Sequence, residues 1–249
     1  MRIALIGGGA MGEAIIKGVL DKELNSPAEI VVSDITRDRL DALSQRYGVT
    51  CSSDNREPLK GAEVVILAVK PQSLTGLMGE LKEHLHPRQL VLSIIAGASI
   101  STLANGLNHE TLVRVMPNTP AQIGEGMSVW TATENVNDDQ REEVRSILRA
   151  LGTEIYVADE KYLDMATAVS GSGPAYIFLI MESFIEAAVG IGLPRETAEE
   201  LVIQTMLGAT HLAQRAGENL AELRRKVTSP GGTTAAGLLQ LEEEKLNQE

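Results

Sequence analysis

Residues 2–12 read RIALIGGGAMG, a short apolar run that leads directly into three consecutive glycines. An apolar run of this length that ends in glycines is typical of a buried strand. The stretch from Gly12 to Asp21 then predicts an amphipathic helix. A strand, a glycine-rich turn and a helix in this order begin a βαβ unit, so this segment decides the fold of the amino-terminal half.

The glycines at 7, 9 and 12 match the pattern GxGxxG in its required context. The first permits a tight turn, the second lets the backbone approach a pyrophosphate, and the third lets the helix pack closely on the strand. Asp34 stands at the end of the second predicted strand, where an acidic residue binds an adenosine ribose. The segment predicts dinucleotide binding at a helix amino terminus. An ordinary tight turn is the alternative.

Short β-branched runs alternate with longer amphipathic stretches as far as about residue 159. The predicted strands are Arg2–Ile6, Glu29–Ser33, Val64–Val69, Leu90–Ile95, Leu112–Val115 and Glu154–Val157. The predicted helices are Gly12–Asp21, Thr36–Tyr47, Leu74–His84, Ser101–Leu107 and Asn137–Leu151. This alternation predicts an α/β fold at residues 1–159, a Rossmann-type doubly wound parallel sheet with helices on both faces.

Residues 160–249 form a second, all-helical domain in this interpretation. Helices are expected from about Gly173 to Val189, over Pro194–Gly217 and Leu220–Val227, and after residue 234. The first of them is apolar around its whole circumference, which is typical of a helix buried on most sides. A segment this short cannot easily enclose it. We therefore expect a dimerisation domain, with packing against the amino-terminal domain as the alternative.

Composition excludes several classes of partner. Lys plus Arg is 22 and Asp plus Glu is 34, so the net charge is −12, and such a surface repels nucleic acid. Cys51 is the only cysteine, which excludes a disulfide within the chain and a thiolate metal cluster. The histidines are interpreted as surface or capping residues, and no metal is expected. They are His84, His86, His109 and His211.

The longest uninterrupted apolar run is Ala175–Met181, far shorter than the about 20 residues of a bilayer-spanning helix. The first residues contain no signal peptide pattern. We therefore expect a soluble, cytoplasmic protein with no membrane partner.

Ligands of doubly wound sheets bind beyond the carboxyl ends of the strands. Lys70 and Pro71 follow one predicted strand, Ala96 and Gly97 the next, and the sequence MPNTP at 116–120 the one after. Together with the glycine turn and Asp34 they form one edge, although a strand-end lysine can also simply extend into solvent. For the coenzyme, Asp34 favours NAD, whereas Arg37 and Arg39 would suit the 2′-phosphate of NADP, so both NADH and NADPH stay open.

The segment TSPGGTT at 228–234 has a composition that suits an anion. A Ser-Pro-Gly-Gly turn before two threonines presents backbone N–H groups and hydroxyls at a helix start, where a carboxylate is stabilised. The alternative is an ordinary helix cap.

Five motifs in this order resemble pyrroline-5-carboxylate reductase, over nearly the whole chain: IGGGAMG at 6–12, AVKP at 68–71, MPNTPA at 116–121, SGSGPAY at 170–176 and TSPGGTT at 228–234. The resemblance implies NAD(P)H-dependent reduction of L-1-pyrroline-5-carboxylate to L-proline, the last step of proline biosynthesis. It also implies a homodimer built from the helical domains, often assembled into a decamer, and a further helix after Leu241 and Glu242.

Site residues also follow from the resemblance. It implies that the coenzyme is bound by Gly7, Gly9, Ala10, Met11, Gly12, Ser33, Asp34, Asn55, Ala68, Val69, Lys70, Pro71, Ala96 and Gly97. It implies that the imino acid substrate is bound by Ser229, Gly231, Gly232, Thr233, Thr234 and Glu218. We expect the Thr234 hydroxyl to act in catalysis by binding the ring nitrogen.

Two other functions remain alternatives. A β-hydroxyacid-type dehydrogenase shares the sheet-plus-helices plan, but it would want a lysine in the long helix as general acid, and residues 170–192 contain none. A non-enzymatic NAD(P)-binding sensor would use the 228–234 turn only as a helix cap.

Overall fold

The structure is a computed structural model in which residues 1–243 are described. Residues 244–249 of the predicted helical domain lie outside the described residues. The strands are β1 (Ile3–Ile6), β2 (Ile30–Ser33), β3 (Thr50–Ser52), β4 (Val64–Leu67), β5 (Leu90–Ser93), β6 (Leu112–Met116), β7 (Gly126–Ala132) and β8 (Gly152–Tyr156). The helices are α1 (Ala10–Asp21), α2 (Arg37–Tyr47), α3 (Leu74–Leu81), α4 (Ile100–Leu107), α5 (Asp138–Arg149), α6 (Lys161–Ala166), α7 (Gly173–Gly190), α8 (Arg195–Arg215), α9 (Leu220–Lys226) and α10 (Thr233–Glu243).

Within residues 1–243 these strands form one sheet with the order β3-β2-β1-β4-β5-β6-β7-β8. The strand order reverses between β1 and β4, which is the topology of a doubly wound sheet, so the predicted fold class is confirmed. The register is continuous there, with Ile6 opposite Ser33 on one side and Leu67 on the other. The ends of β1, β2 and β4 therefore meet at one edge.

The predicted parallel sheet has one exception at β7, which runs antiparallel to β6 with Val115 opposite Trp130. The connection between them is only a 3-10 turn, Thr119–Ile123, that ends at Gly124 with φ +77°. A connection this short can reverse the chain but cannot cross over to a parallel strand. The sequence analysis assigned neither β7 nor the short edge strand β3.

The core lies on both faces of the sheet because successive strand residues point to opposite sides. Ile3 and Leu5 pack with α1 and α5 in one cluster, whereas Ala4 and Ile6 pack with α3 and α4 in the other. Both clusters consist of fully or nearly fully buried side chains. Because β1 is buried on both faces of the sheet, all its residues are apolar. The same packing fixes the position of the glycine turn that follows it.

The interpretation of all four histidines as surface or capping residues is wrong for His109. Its side chain is buried, and its Nε2 lies 2.7 Å from the carbonyl oxygen of Gln89. The Gln89 side chain in turn donates to the carbonyl oxygens of Leu59 and Ala62. His109 and Gln89 together therefore satisfy three backbone carbonyl groups at the opposite end of the sheet from the glycine turn. The other three histidines are exposed.

The chain divides into two compact units, Met1–Tyr176 and Ile177–Glu249, with the division inside α7. The boundary predicted after residue 159 stays a prediction. In the second unit α8 follows α7 after a short connection, and α9 and α10 are joined by the turn at residues 227–232.

Among the described residues one helical stretch, Lys161–Gly190, is long and apolar enough to cross a membrane, judged by length and composition alone. It combines α6, a π-helical turn at Thr167–Gly171 and α7. This stretch contains no long uninterrupted apolar run because single polar residues break it, although its mean hydropathy is 1.3.

Candidate functional site

The turn after β1 is compact because two glycines lack a Cβ atom. Gly7 has φ +106°, and a Cβ there would lie 2.6 Å from the carbonyl oxygen of Ala68. A Cβ on Gly12 would lie 2.2 Å from the carbonyl oxygen of Gly7. Any side chain at either position would push the turn away from β4 or from α1. The glycine spacing is thus a packing requirement in this chain.

The amino terminus of α1 is open. Its N-cap residue is Gly9, and no side chain of the described residues caps the helix. A Cβ on Gly9 would meet no atom within 4 Å, so the space above it is free. The first N–H groups of a helix have no intrahelical partner and carry partial positive charge. Together these features suit an anion such as a pyrophosphate.

Asp34 joins the end of β2 to the glycine turn. Its Oδ2 accepts a hydrogen bond from the backbone N–H of Gly8 at 2.8 Å, and its Oδ1 accepts one from Thr36 N–H at 2.8 Å. Each carboxylate oxygen keeps a further lone pair for an external donor. The half-buried carboxylate is therefore a rigid acceptor beside the turn, as ribose recognition requires.

A chain of polar side chains continues from Ser33. The Ser33 hydroxyl donates to Asn55 Oδ1 at 2.9 Å, and Asn55 Nδ2 donates to Glu80 Oε2 at 2.7 Å. Glu80 lies in α3 and was not identified from the sequence, because nothing in a helical glutamate indicates that it lines a cavity.

A cavity of about 660 Å³ lies at this edge of the sheet. It brings together many of the predicted coenzyme residues: Gly7, Gly9, Ser33, Asp34, Asn55, Ala68, Val69 and Lys70. Sequence reasoning missed several other residues that line it: Ile35, Thr36, Gln72, Ser73, Gly76, Leu77 and Glu80. Four of these residues, Ile35, Thr36, Gln72 and Ser73, follow the ends of β2 and β4 within a few positions. Their place beyond the strand ends was the signal in the sequence that could have identified them.

The remaining predicted coenzyme residues lie outside this lining. Ala10 lines a separate cavity of about 470 Å³ beside Glu13, Arg46 and Tyr47. Gly12 is buried in the first turn of α1. The others contribute no lining to the 660 Å³ cavity: Met11, Pro71, Ala96 and Gly97.

The MPNTPA motif contacts the SGSGPAY motif through Asn118. Its Nδ2 donates to the carbonyl oxygen of Ser170 at 3.0 Å, and its Oδ1 accepts from the N–H of Met127 at 2.8 Å. Ser170 lies in the π-helical turn Thr167–Gly171, a distortion that is frequent at functional sites. Asn118 was not among the predicted site residues. The strand-end position of its motif was the available signal.

The turn between α9 and α10 is an exposed glycine turn in the second unit. Gly231 has φ +71°, and the N–H of Gly232 donates to the carbonyl oxygen of Ser229 at 3.1 Å. A Cβ on Gly232 would lie 2.6 Å from Ser229 Oγ. The helix α10 then begins at Thr233, and both Thr233 and Thr234 are exposed. The turn therefore combines helix-start N–H groups with free hydroxyls.

Glu218 lies near this turn along the chain. Its carboxylate accepts a hydrogen bond from Lys226 Nζ at 2.6 Å, at the end of α9, and the two charges form an ion pair. Both side chains are exposed, so the pair contributes little to stability. Within residues 1–243 no group of three or more His, Cys, Asp or Glu side chains is arranged to hold a metal ion.

Two family models match the chain. One described as pyrroline-5-carboxylate reductase dimerisation matches residues 160–249, and one described as NADP oxidoreductase coenzyme F420-dependent matches residues 2–97. The first match agrees with the dimerisation domain predicted from the apolar α7.

Relatives and solved structures are similar over nearly the whole length. A pyrroline-5-carboxylate reductase from Synechocystis is 40% identical over 97% of this chain and 90% of the relative. The structure of a pyrroline-5-carboxylate reductase from Coxiella burnetii has a TM-score of 0.91 at 40% identity and covers 98% of this chain and 91% of its own. A Plasmodium falciparum pyrroline carboxylate reductase with NADP bound has a TM-score of 0.89 at 31% identity, covering 98% and 90%.

Proposed function

Because this chain belongs to the pyrroline-5-carboxylate reductase family, we propose that it reduces L-1-pyrroline-5-carboxylate to L-proline with NAD(P)H, the last step of proline biosynthesis. The resemblance expected from the five motifs is thereby confirmed. The observation that carries the proposal is the open α1 amino terminus above Gly9, beside the fixed Asp34 carboxylate, in a chain 40% identical to such a reductase.

The residues beyond the carboxyl ends of β1, β2 and β4 fit NAD(P)H, which supplies a hydride when it is bound. Gly7, Gly9, Ala10, Met11 and Gly12 form the pyrophosphate turn in this proposal. Ser33, Asp34 and Asn55 bind the adenosine half through the acceptors and hydroxyl described above. The residues assigned along the rest of the coenzyme are Ala68, Val69, Lys70, Pro71, Ala96 and Gly97.

The substrate is a small imino acid with one carboxylate. In the proposal its carboxylate accepts hydrogen bonds from the Ser229–Thr233 turn, where each charged hydrogen bond contributes about 1.5–3 kcal/mol. The turn's exposed hydroxyls and its place at the start of α10 support this assignment. Thr234 binds the ring nitrogen, and Glu218 is a further substrate residue.

The reaction does not require a strong general acid or base from the protein. A cyclic imine is basic enough to take its proton from water, and the C=N bond gains one hydride and one proton to give the amine. The protein then mainly orients the reactants, which supplies about 7–11 kcal/mol of the barrier. The Thr234 hydroxyl holds the nitrogen while its bonding changes.

We propose further that two chains pair through the helical domain, that such dimers assemble into a decamer, and that the protein works in the cytoplasm. The apolar α7 supports pairing because Phe178 and Leu179 are each 62% exposed in the single chain. Glu182 and Glu186 in the same helix disfavour a lipid environment. The net charge of −12 disfavours nucleic acid as a partner. Family membership alone supports the decamer and the cytoplasmic location.

The deciding experiment follows NADPH and NADH absorbance with and without L-1-pyrroline-5-carboxylate, and identifies proline among the products. We expect oxidation only when the imine is present. A protein that binds the coenzyme but never oxidises it would be the sensor. Oxidation with a β-keto acid in place of the imine would favour the β-hydroxyacid-type dehydrogenase.

A further inference from the structure

Arg39 turns back from the first turn of α2 onto the glycine turn. Its Nε donates to the carbonyl oxygen of Gly8, and its Nη2 makes a longer contact of 3.4 Å with the carbonyl oxygen of Gly9. The same nitrogen pairs with Glu13 Oε2 in the first turn of α1. The guanidinium thus bridges the turn and the helix that the turn opens.

Glu13 is held by three donors. While Oε2 receives Arg39, Oε1 accepts from Arg46 Nη1 at 2.7 Å and from the Tyr47 hydroxyl at 2.9 Å. Burial alone would raise the pKa of Glu13, but the hydrogen bonds from Arg39, Tyr47 and Arg46 outweigh it and hold the pKa below its ordinary value. The Glu13 side chain is only 19% exposed. It is therefore a stable anionic partner for Arg39.

Both polar backbone groups of Gly8 are consequently bound by side chains from the β2–α2 segment. Its N–H donates to Asp34 and its carbonyl oxygen accepts from Arg39. The next residue, Gly9, is the uncapped start of α1. Fixing Gly8 on both sides sets the orientation of the peptide that leads into the free N–H groups.

Arg37 differs from Arg39 although it lies on the same turn of α2. It is exposed, and its side chain makes no hydrogen bond or ion pair with any residue in the described part of the chain. It begins α2, three residues after Asp34. The Arg37 side chain, with no protein partner among the described residues, is available to a phosphate. Arg39 lines the 660 Å³ cavity, but its guanidinium is already bound to the Gly8 carbonyl oxygen and to Glu13.

We propose that Arg39 and Glu13 form a clamp that positions the pyrophosphate turn for either coenzyme, and that Arg37 is the arginine that recognises a 2′-phosphate. The proposal rests on the proposed function in that the turn must bind NAD(P)H. NADH and NADPH share the pyrophosphate, so loss of the clamp weakens both equally. Only NADPH carries the 2′-phosphate, so loss of Arg37 weakens NADPH alone.

The test compares Arg39→Met with Arg37→Met by calorimetric binding of NADP⁺, NAD⁺ and ADP. We expect Arg39→Met to weaken all three by the same factor, roughly tenfold, while the ratio of the NADP⁺ and NAD⁺ dissociation constants stays unchanged. Arg37→Met should change that ratio and leave NAD⁺ and ADP unaffected. In steady-state assays Arg39→Met should raise KM for both coenzymes with kcat unchanged.

Glu13→Gln provides a second route to the same clamp. It should weaken both coenzymes equally, and the double variant with Arg39→Met should lose little more than either single variant, because both remove one contact. Arg39→Lys should recover part of the loss by keeping the charge beside Glu13. This graded recovery separates positioning from general destabilisation of the fold.

Three results would overturn the clamp: selective loss of NADP⁺ in Arg39→Met, unchanged binding in that variant, or additive losses in the double variant. Because binding is measured without substrate, a wild-type protein that binds coenzyme but does not reduce the imine refutes the proposed reaction alone. A wild-type protein that binds neither coenzyme refutes both.

Discussion

The guanidinium of Arg114, on β6, donates to the Glu160 carboxylate at 2.7 Å and to Asp164 at 2.8 Å. The Arg114 side chain is 6% exposed, whereas those of Glu160 and Asp164 are 30% and 71% exposed. Glu160 Oε1 also accepts the backbone N–H of Ile100 at the start of α4. One buried cation therefore ties a strand of the sheet to α4 and to the helix that leads towards α7.

Replacing this cation should destabilise the fold. Arg114→Met removes the hydrogen bonds to two carboxylates, and we expect a loss of about 1–3 kcal/mol in the free energy of unfolding. Urea denaturation measures it. Lys60→Met, which removes an ion pair exposed on both sides, should cost less than about 1 kcal/mol. Equal losses in the two variants would show that the Arg114 contacts add nothing beyond a surface pair.

Removing the Thr234 hydroxyl should impair turnover. We expect Thr234→Ala to lower kcat/KM for L-1-pyrroline-5-carboxylate by at least about tenfold, the equivalent of one charge-assisted hydrogen bond. The dissociation constant of NADPH should not change. Thr210→Ala, on exposed α8, is the matched control because the Thr210 hydroxyl only donates to the Met206 carbonyl within its helix. Wild-type turnover in Thr234→Ala would discard the assignment.

A charge in the apolar face of α7 should prevent pairing of the chains. Phe178 is 62% exposed in the single chain, and a carboxylate buried there in a dimer would lack a partner. We expect Phe178→Glu to reduce the mass measured by light scattering to that of one chain. Lys82→Glu, which changes an exposed residue after α3, should leave the mass unchanged. A wild-type protein that is already monomeric would contradict the dimer.

The hydrogen bonds that Glu13 accepts from Arg39, Arg46 and Tyr47 should make the free energy of unfolding depend on pH in the acid range. Hydrogen bonds lower the Glu13 pKa in the folded state below 4.5, so its contribution is fully present above pH 4.5 and is lost as pH falls through the lower folded value. We expect Glu13→Gln to lose stability at neutral pH and to flatten the decline below pH 4.5. Urea midpoints across this range provide the measurement, and parallel curves for the two proteins would contradict it.

Ionisation of Glu143 should have the opposite effect on stability: it should destabilise the folded protein. Burial raises its pKa above 4.5 in the folded protein, and the nearby Glu63 carboxylate adds to the effect. The charged form therefore costs stability at neutral pH, and this cost appears as pH rises through the unfolded and then the folded value. We expect Glu143→Gln to raise Tm at neutral pH and to make no difference below pH 4. Glu142→Gln, its exposed neighbour, should not raise Tm.

The periodicity of apolar residues was sufficient to predict most strands of the sheet from the sequence. The apolar runs of β1, β4 and β5 are buried on both faces, and such strands have a simple sequence signal. The antiparallel strand β7 was missed because it follows a 3-10 turn without the strand–helix alternation that guided the prediction. His109 was misjudged because a single histidine carries no sign of the backbone carbonyl it will meet.

In the candidate site, too, some residues could be predicted from the sequence and others could not. Gly7, Gly12 and Asp34 were predictable because their roles are local: they shape a turn and end a strand within one βαβ unit. The partners of Arg39 were not predictable. Arg37 and Arg39 are equivalent in the sequence, and only packing of α2 against α1 brings one of them to Glu13 and Gly8.

By itself the amino-acid sequence determined the doubly wound sheet, the glycine turn and the family, since these depend on the order and spacing of residues along the chain. Tertiary structure decided which of two neighbouring arginines is bound to the protein, which strand runs backwards and which histidine is buried. These features depend on contacts between segments far apart in the chain, and residue spacing does not encode such contacts.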